Sequence, residues 1–324
     1  MYKRQDDNTA IGFGALSANT TGTNLTAIGS GSLQANTTAN NNTAVGLNSL
    51  YSNTTGTSNV ALGKDALLLN TTASNNTGIG YLALEANTTG AGNTAVGTQA
   101  LDDNTTGIQN TAVGYLAGSA ITTGNYNTAV GVVALQNYNV TDCVAVGTEA
   151  LRDCQGNRNI GIGNEAGRFA TGTDNVIIGD LAADATSFSG SNNVGIGSGA
   201  LSAITTGTQN SILGRNSGNS VTTGNQNTIL GYVAGNAVTT GTNNTLVGYA
   251  TASTSLGLTT GSRNQLFGSQ NDTATATTDD AHALGFNLDC TSGYTTLGKS
   301  TQDIRAAFGS TTWSTVSDLS LIHI

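Results

Sequence analysis

Few residues of this sequence have side chains that could catalyse a reaction. His282 is the one histidine outside the last six residues, and it has no nucleophile and acid at a recognisable spacing beside it. Asp102–Asp103 and Asp279–Asp280 are carboxylate pairs, but each consists of sequence neighbours only. A site that cleaves carbohydrate needs carboxylates held several ångströms apart across the substrate. We therefore expect no catalytic residues and predict that the protein is not an enzyme.

The sequence also contains few residues that could bind a metal or take part in redox chemistry. The three cysteines, Cys143, Cys154 and Cys290, are an odd number. Cys143 and Cys154 are close enough in sequence to form a disulfide, but we favour buried free thiols. The nonapeptide calcium-binding pattern is absent. The sequence predicts no metal and no cofactor.

Arginines and glutamates in the middle of the chain form the best candidate binding site. Arg152 and Arg168 are 16 residues apart, as are Glu149 and Glu165. Two interpretations stay open: a salt-bridge ladder, or a contact patch for an anionic glycan that also includes Arg158. We carry Arg152, Arg168 and Arg158 forward as candidate glycan-binding residues.

These residues belong to a repeat with a period of 17. Each repeat resembles Asn-Thr-Ala-Val-Gly-x-x-Ala-Leu-x-x-Asn-Thr-Thr-Gly, and an apolar residue always precedes the first glycine. Four tyrosines directly follow a motif glycine, and we expect them to cover the repeat or an interface between chains: Tyr81, Tyr115, Tyr232 and Tyr249. The motif glycines are Gly12, Gly29, Gly46, Gly63, Gly80, Gly97, Gly114, Gly131, Gly147, Gly163, Gly179, Gly197, Gly214, Gly231, Gly248, Gly268, Gly285 and Gly298.

The short period predicts an all-β parallel β-solenoid with about 17 residues per coil. Seventeen residues leave room for two short strands and two turns, but not for a helical hairpin. The sequence contains no proline, as expected where every backbone N–H donates to a neighbouring coil. At roughly 4.8 Å per coil, the coils would form a rod about 80 Å long. One thin coil buries little apolar surface, which favours a homo-oligomer.

Asparagine stands four residues before 14 of the 18 motif glycines. Identical amides stacked in register can hydrogen-bond along a solenoid. We interpret these asparagines as scaffold. The exceptions are Leu25, Cys143, Ala281 and Tyr294.

Composition excludes several classes of partner. Only 9% of the 324 residues are charged, and the formal net charge is −9. An acidic chain of this kind is a poor ligand for nucleic acid or for an anionic membrane. No apolar run reaches 18 residues, so we expect no membrane insertion within this segment.

The Asn-Thr-Ala-Val-Gly repeats over residues 8–268 resemble the head repeats of YadA-like trimeric autotransporter adhesins. They look still more similar to arrays in bacteriophage tail-fibre proteins. The resemblance implies a left-handed β-roll assembled as a homotrimer, although adhesin head repeats are usually shorter than 17 residues. A hexapeptide left-handed helix is an alternative that fits only once per coil. Residues 312–318 look like the approach to the intramolecular chaperone of tail fibres.

Both ends look foreign to the protein. Residues 1–5 can be back-translated as GTG TAT AAG AGA CAG and residues 319–324 as CTG TCT CTT ATA CAC ATC, which are reverse complements over the shorter string. They resemble a transposase end used in sequencing libraries, so we treat them as adapter-derived. We place the solenoid at 6–268 and, at 269–318, a transition segment toward a further C-terminal domain. A short helix is expected at 303–308.

The sequence favours an extracellular fibre segment of a phage tail fibre or cell-surface adhesin that attaches to a host or surface glycan. An ice-binding or other extracellular β-solenoid surface protein is the alternative, because ice-binding solenoids present flat threonine arrays. Here the threonines are adjacent, as in Thr20-Thr21 and Thr54-Thr55. Strand alternation would point the members of each pair to opposite faces, which counts against ice binding.

Overall fold

The computed structural model describes residues 7–253, 258–300 and 302–315. The repeated three-residue strands and their turns build a parallel β-solenoid, and none of the described residues is helical. The chain divides into two compact units, Met1–Asn164 and Glu165–Ile324. The predicted fold class is confirmed in each unit. The two ends that the sequence predicts to be adapter-derived, residues 1–5 and 319–324, lie outside the described residues.

The first unit repeats one three-residue strand per coil. Each strand pairs in parallel with the next, so that Val45 lies beside Leu62 and Ala44 beside Ala61. The described part of this unit contains β1 (Thr9–Ile11), β2 (Thr26–Ile28), β3 (Thr43–Val45), β4 (Val60–Leu62), β5 (Thr77–Ile79), β6 (Thr94–Val96), β7 (Thr111–Val113), β8 (Thr128–Val130), β9 (Val144–Val146) and β10 (Ile160–Ile162).

The second unit continues the same pattern and then changes it. Parallel pairing runs through its three-residue strands and on through β18 and β20, past residue 268. A separate parallel pair, β17 with β19, lies beside this ladder, and β21 and β22 are antiparallel. The strands are β11 (Val176–Ile178), β12 (Val194–Ile196), β13 (Ser211–Leu213), β14 (Thr228–Leu230), β15 (Thr245–Val247), β16 (Gln265–Phe267), β17 (Asp272–Thr273), β18 (His282–Phe286), β19 (Asp289–Cys290), β20 (Tyr294–Lys299), β21 (Gln302–Ala307) and β22 (Ser314–Thr315).

Two local predictions were wrong. A regular coil has one strand instead of two, because Asn48 and Leu50 adopt positive φ angles of 55° and 49° and turn the chain where a second strand was expected. A helix was expected at 303–308, but the chain forms β21 over Gln302–Ala307, and this strand pairs antiparallel with β20. The edge of β20 carries backbone N–H and C=O groups that an adjacent strand can bond and a helix cannot.

The interior of each coil is narrow and contains small or amide side chains. In the coil that follows β3, the inward residues are Leu50, Asn53, Gly56 and Asn59, which stand three residues apart, and all four are buried. Leu50 points inward from a left-handed backbone conformation that costs about 1–2 kcal/mol for a residue with a Cβ. Burying a leucine side chain contributes roughly 1.5–3 kcal/mol, which offsets that cost.

The motif glycines allow the coils to approach closely. Gly46 has a φ of 138°, and a Cβ there would lie 2.4 Å from the carbonyl oxygen of Gly63 in the next coil. Both the conformation and the contact require glycine. The fixed position of this residue in the repeat therefore reflects coil stacking.

The predicted asparagine scaffold is present, with a bonding pattern that the sequence did not specify. In the first column, Asn42 Oδ1 accepts a hydrogen bond from the backbone N–H of Asn59 at 2.8 Å. A second column, formed by the asparagines that precede the paired threonines, is an amide-to-amide ladder in which Asn53 Nδ2 donates to Asn36 Oδ1 at 3.2 Å. All four of these asparagine side chains are buried. Sequence reasoning assigned the second set only to turns.

Candidate binding surfaces

The first arginine of the candidate glycan patch is engaged by two carboxylates. Arg152 lies in the first unit, where its guanidinium donates to Glu149 Oε2 at 2.6 Å and to Asp153 Oδ2 at 2.7 Å. Glu149 lies three residues before it in the same coil. Because both carboxylates already balance the positive charge, Arg152 offers an anion less than an isolated arginine would.

Arg168 repeats this arrangement in the second unit. Its guanidinium donates to Glu165 Oε2 at 2.6 Å and lies 4.7 Å from the centroid of the Phe169 ring. Arg158, in the first unit, is exposed and has a positive φ of 57°. Since Arg152 and Arg168 belong to different units, their stacking stays a prediction. The ion pairs of Arg152 with Glu149 and of Arg168 with Glu165 are those that a salt-bridge role for these arginines predicts.

The carboxylate pairs considered above serve local structure. Arg263 donates two hydrogen bonds to Asp280, at 2.7 and 2.8 Å, and these bonds lower the pKa of the Asp280 carboxyl. The neighbouring Asp279 accepts from the backbone N–H of Ser262 at 2.6 Å. His282 lies on β18, with its ring centroid 4.7 Å from that of Phe308.

Asp102 is a carboxyl group whose pKa is raised in the folded chain. Burial raises the pKa of Asp102 to about 6, and the charge of Asp103 adds to this effect. Gln99 Nε2 donates to Asp102 at 3.1 Å, which opposes the shift. A carboxyl that binds its proton up to pH 6 could act as an acid. The other charged groups that act on its pKa, Asp103 and Glu85, are also acidic.

Apolar side chains form an outward column on the strands. The third residue of each three-residue strand, and of β18, points away from the coil interior, and several of these side chains are exposed. In the first unit the exposed members are Ile11, Ile28, Leu62, Val113 and Ile162, and in the second they are Leu213, Leu230, Phe267 and Leu284. Exposed apolar residues that follow the motif glycines flank this column: Phe13, Leu47, Tyr81, Tyr115, Val132, Tyr232 and Tyr249. We call the two columns together the apolar stripe of each unit.

Two of the motif tyrosines stack on each other. The rings of Tyr232 and Tyr249 are 5.7 Å apart and within 5° of parallel. They remain 45% and 54% exposed, so the stack presents a flat aromatic surface to solvent. In the first unit, Lys64 lies 5.1 Å above the ring of Tyr81. Flat exposed rings of this kind can pack against a sugar or against another chain.

The paired threonines all face outward, and the predicted alternation is wrong. Asn53 and Gly56 both point inward, so the two residues between them, Thr54 and Thr55, lie on one outer face. Thr54 Oγ1 donates to the backbone oxygen of Thr71 in the next coil at 3.1 Å. The second threonine of each pair is exposed on seven successive coils: Thr21, Thr38, Thr55, Thr72, Thr89, Thr106 and Thr123. This double column of threonines is a regular polar surface that sequence reasoning missed.

Among the described residues, no three His, Cys, Asp or Glu side chains are close enough together to hold a metal ion. Within the same ranges, no helix has the length and apolar character needed to span a membrane. Comparison with protein-family models, with curated proteins and with solved structures finds no match to the chain. The resemblance to tail-fibre and adhesin repeats therefore rests on the repeat motif alone.

Proposed function

We propose that this chain is a non-enzymatic fibre segment of a phage tail fibre or cell-surface adhesin, located outside the cell, which attaches to a glycan. The supporting observation is that the same outward side chains recur in register from coil to coil, as in the pairing of Val45 with Leu62. A repeated surface binds by avidity, because many weak contacts add along a stiff scaffold.

We further propose that the fibre is a homotrimer in which the apolar stripe is the contact surface between chains. Leu62 and Leu230 are 45% and 43% exposed in the single chain. Apolar columns of this kind mark protein interaction sites more often than solvent-facing surface. The repeat resemblance supports three copies in particular.

Sedimentation of the intact protein tests the assembly. We expect a trimer for the wild type and dissociation when Leu62 and Leu230 are changed to glutamate. Thr72→Glu, on the threonine face, is the control and leaves the trimer intact. A monomeric wild type, or equal dissociation in the control, contradicts an interface formed by the apolar stripe.

A glycan array tests attachment separately. We expect the wild type to bind a restricted set of glycans, and Arg152→Ala with Arg168→Ala to weaken anionic ones. Unchanged binding in that double variant contradicts the hypothesis that the arginines bind the glycan, but it does not contradict glycan attachment by the fibre. Absence of binding to any glycan contradicts the adhesive function.

The outward double column of threonines supports ice binding as a second candidate function. Seven successive coils of the first unit present a Thr-Thr pair on one face. A thermal-hysteresis assay tests this candidate: Thr55→Lys with Thr72→Lys abolishes activity if this face binds ice. Gln109→Lys, at an exposed position outside the threonine columns, is the control. No hysteresis in the wild type rejects the candidate.

A further inference from the structure

The two asparagine columns converge inside those coils of the first unit that have asparagine in both. Asn42, from the first column, and Asn53, from the second, both donate to the backbone oxygen of Gly56, at 2.8 and 3.0 Å. The geometry recurs at Gly90 O, with Asn76 and Asn87, and at Gly107 O, with Asn93 and Asn104.

One coil has cysteine in both columns at once. Cys143 takes the first-column position and Cys154 the second, and both thiols are directed at the backbone oxygen of Gly156, at 3.4 and 3.2 Å. Both residues are fully buried or nearly so, at 0% and 1% exposure. The backbone N–H of Cys143 still donates to Asn127 Oδ1, as it would from an asparagine. Two sulfur atoms therefore lie against a single oxygen, which also accepts a hydrogen bond from Asn159 Nδ2 at 2.9 Å.

Cys143 stands where the coils on either side have an amide, Asn127 and Asn159, and a thiol is a weaker donor than an amide. Cys154 stands in a part of the second column that no longer contains asparagine, since the buried residues Ile121 and Ala170 occupy this position in nearby coils. Either cysteine alone would be an isolated thiol. With both cysteines present, the two thiols are close enough to hydrogen-bond to each other, and a disulfide requires such proximity.

We propose that Cys143 and Cys154 are a disulfide-forming pair, a site of covalent closure inside this coil. The pair is oxidised by a small-molecule disulfide such as oxidised glutathione. The Cys143 thiolate attacks one glutathione sulfur, which forms a mixed disulfide and releases one glutathione. The Cys154 thiolate then attacks the Cys143 sulfur and releases the second glutathione. One glutathione disulfide is reduced to two glutathione thiols, and the two cysteines lose two electrons and two protons.

The environment of the pair makes the two thiols unequal in the folded coil. A hydrogen bond from the Cys154 thiol lowers the pKa of Cys143, whereas the same contact and burial raise the pKa of Cys154. Cys143 is therefore the more readily ionised of the two. Because neither sulfur is exposed in the closed coil, exchange takes place during folding, and the finished coil then shields the bond from reductants.

Cys290 provides an internal comparison. It lies in the second unit, and burial raises the pKa of its thiol to about 12. Its thiol is directed at the backbone oxygen of Leu288, at 3.9 Å. We expect Cys290 to stay a free thiol under the conditions that oxidise the other pair.

Oxidative refolding of the full chain tests the proposal. The protein is unfolded in urea, refolded either with oxidised and reduced glutathione or with dithiothreitol, denatured again and alkylated. We expect one alkylated cysteine, Cys290, after glutathione and all three after dithiothreitol, with a linked peptide pair containing Cys143 and Cys154. Closing a loop of about 12 residues is expected to raise the Tm of the oxidised protein by roughly 5 °C.

Two variants complete the experiment. Cys143→Asn with Cys154→Asn restores the residues found in the regular coils, and we expect its Tm to be the same after both treatments. Cys290→Ser is expected to retain the redox-dependent Tm. Three alkylated cysteines after glutathione refolding, a bridge that includes Cys290, or an equal Tm for the oxidised and reduced wild type each overturns the proposal.

Discussion

Removing one amide from the first asparagine column is predicted to destabilise the coil severely. Asn76 is fully buried, its Oδ1 accepts from the backbone N–H of Asn93 at 2.8 Å, and its Nδ2 donates to Gly90 O at 2.9 Å. In Asn76→Ala the N–H of Asn93 loses its acceptor, whereas Gly90 O keeps its bond from Asn87. A buried donor without an acceptor costs about 1–3 kcal/mol and each lost hydrogen bond about 0.5–1.5 kcal/mol. The expected loss is therefore about 2–5 kcal/mol.

Urea unfolding followed by circular dichroism measures this loss, and amide hydrogen exchange at Asn93 locates it. The matched control is Asn75→Gly, because Asn75 is the neighbouring exposed asparagine and has a positive φ of 63° that glycine also accepts. We expect the control to change the free energy of unfolding by less than about 0.5 kcal/mol. Equal losses in the two variants would refute the view that buried amides bond successive coils.

Two further predictions concern stacking and pH. Gly46→Ala is expected to prevent normal stacking in its coil, because the new Cβ would meet Gly63 O at 2.4 Å. Gly92→Ala, where the nearest atom lies at 3.4 Å, is expected to cost only the strain of its positive φ, and the difference in Tm measures the contact. Because the pKa of Asp102 is raised to about 6, the folded state retains a proton that the unfolded chain releases near pH 4. The stability due to this group is present below pH 4 and is lost as the pH rises to about 6. Asp102→Asn is expected to remove this part of the pH dependence, measured as the free energy of unfolding at pH 4 and pH 7; an unchanged profile contradicts the shifted pKa.

The repeat period carried most of the fold information. Equivalent residues such as Val45 and Leu62 lie side by side because a strict 17-residue spacing allows only one register between neighbouring coils. Asparagine at the same place in each repeat predicted buried scaffold for the same reason. These inferences needed no detail of the turns.

The turns themselves could not be predicted. Leu50 has a positive φ, which propensity alone assigns to glycine or asparagine, and only burial of its side chain explains it. The orientation of Thr54 and Thr55 depends on inward residues spaced by three, whereas strand alternation assumes two. The proximity of Cys143 and Cys154 becomes visible only in the structure, where both thiols are directed at Gly156 O.

Disulfide trapping measures the register between coils most directly. In a background with Cys143 and Cys154 changed to asparagine and Cys290 to serine, cysteines are introduced at Val45 and Leu62, which are register partners on the outer face. A second protein carries them at Val45 and Val60, two residues out of register. Parallel coils predict rapid cross-linking of the first pair and little of the second, whose Cα atoms lie about 8 Å apart by strand geometry and exceed disulfide reach. Equal rates for the two pairs, or faster cross-linking of the second, would contradict the stacked-coil structure.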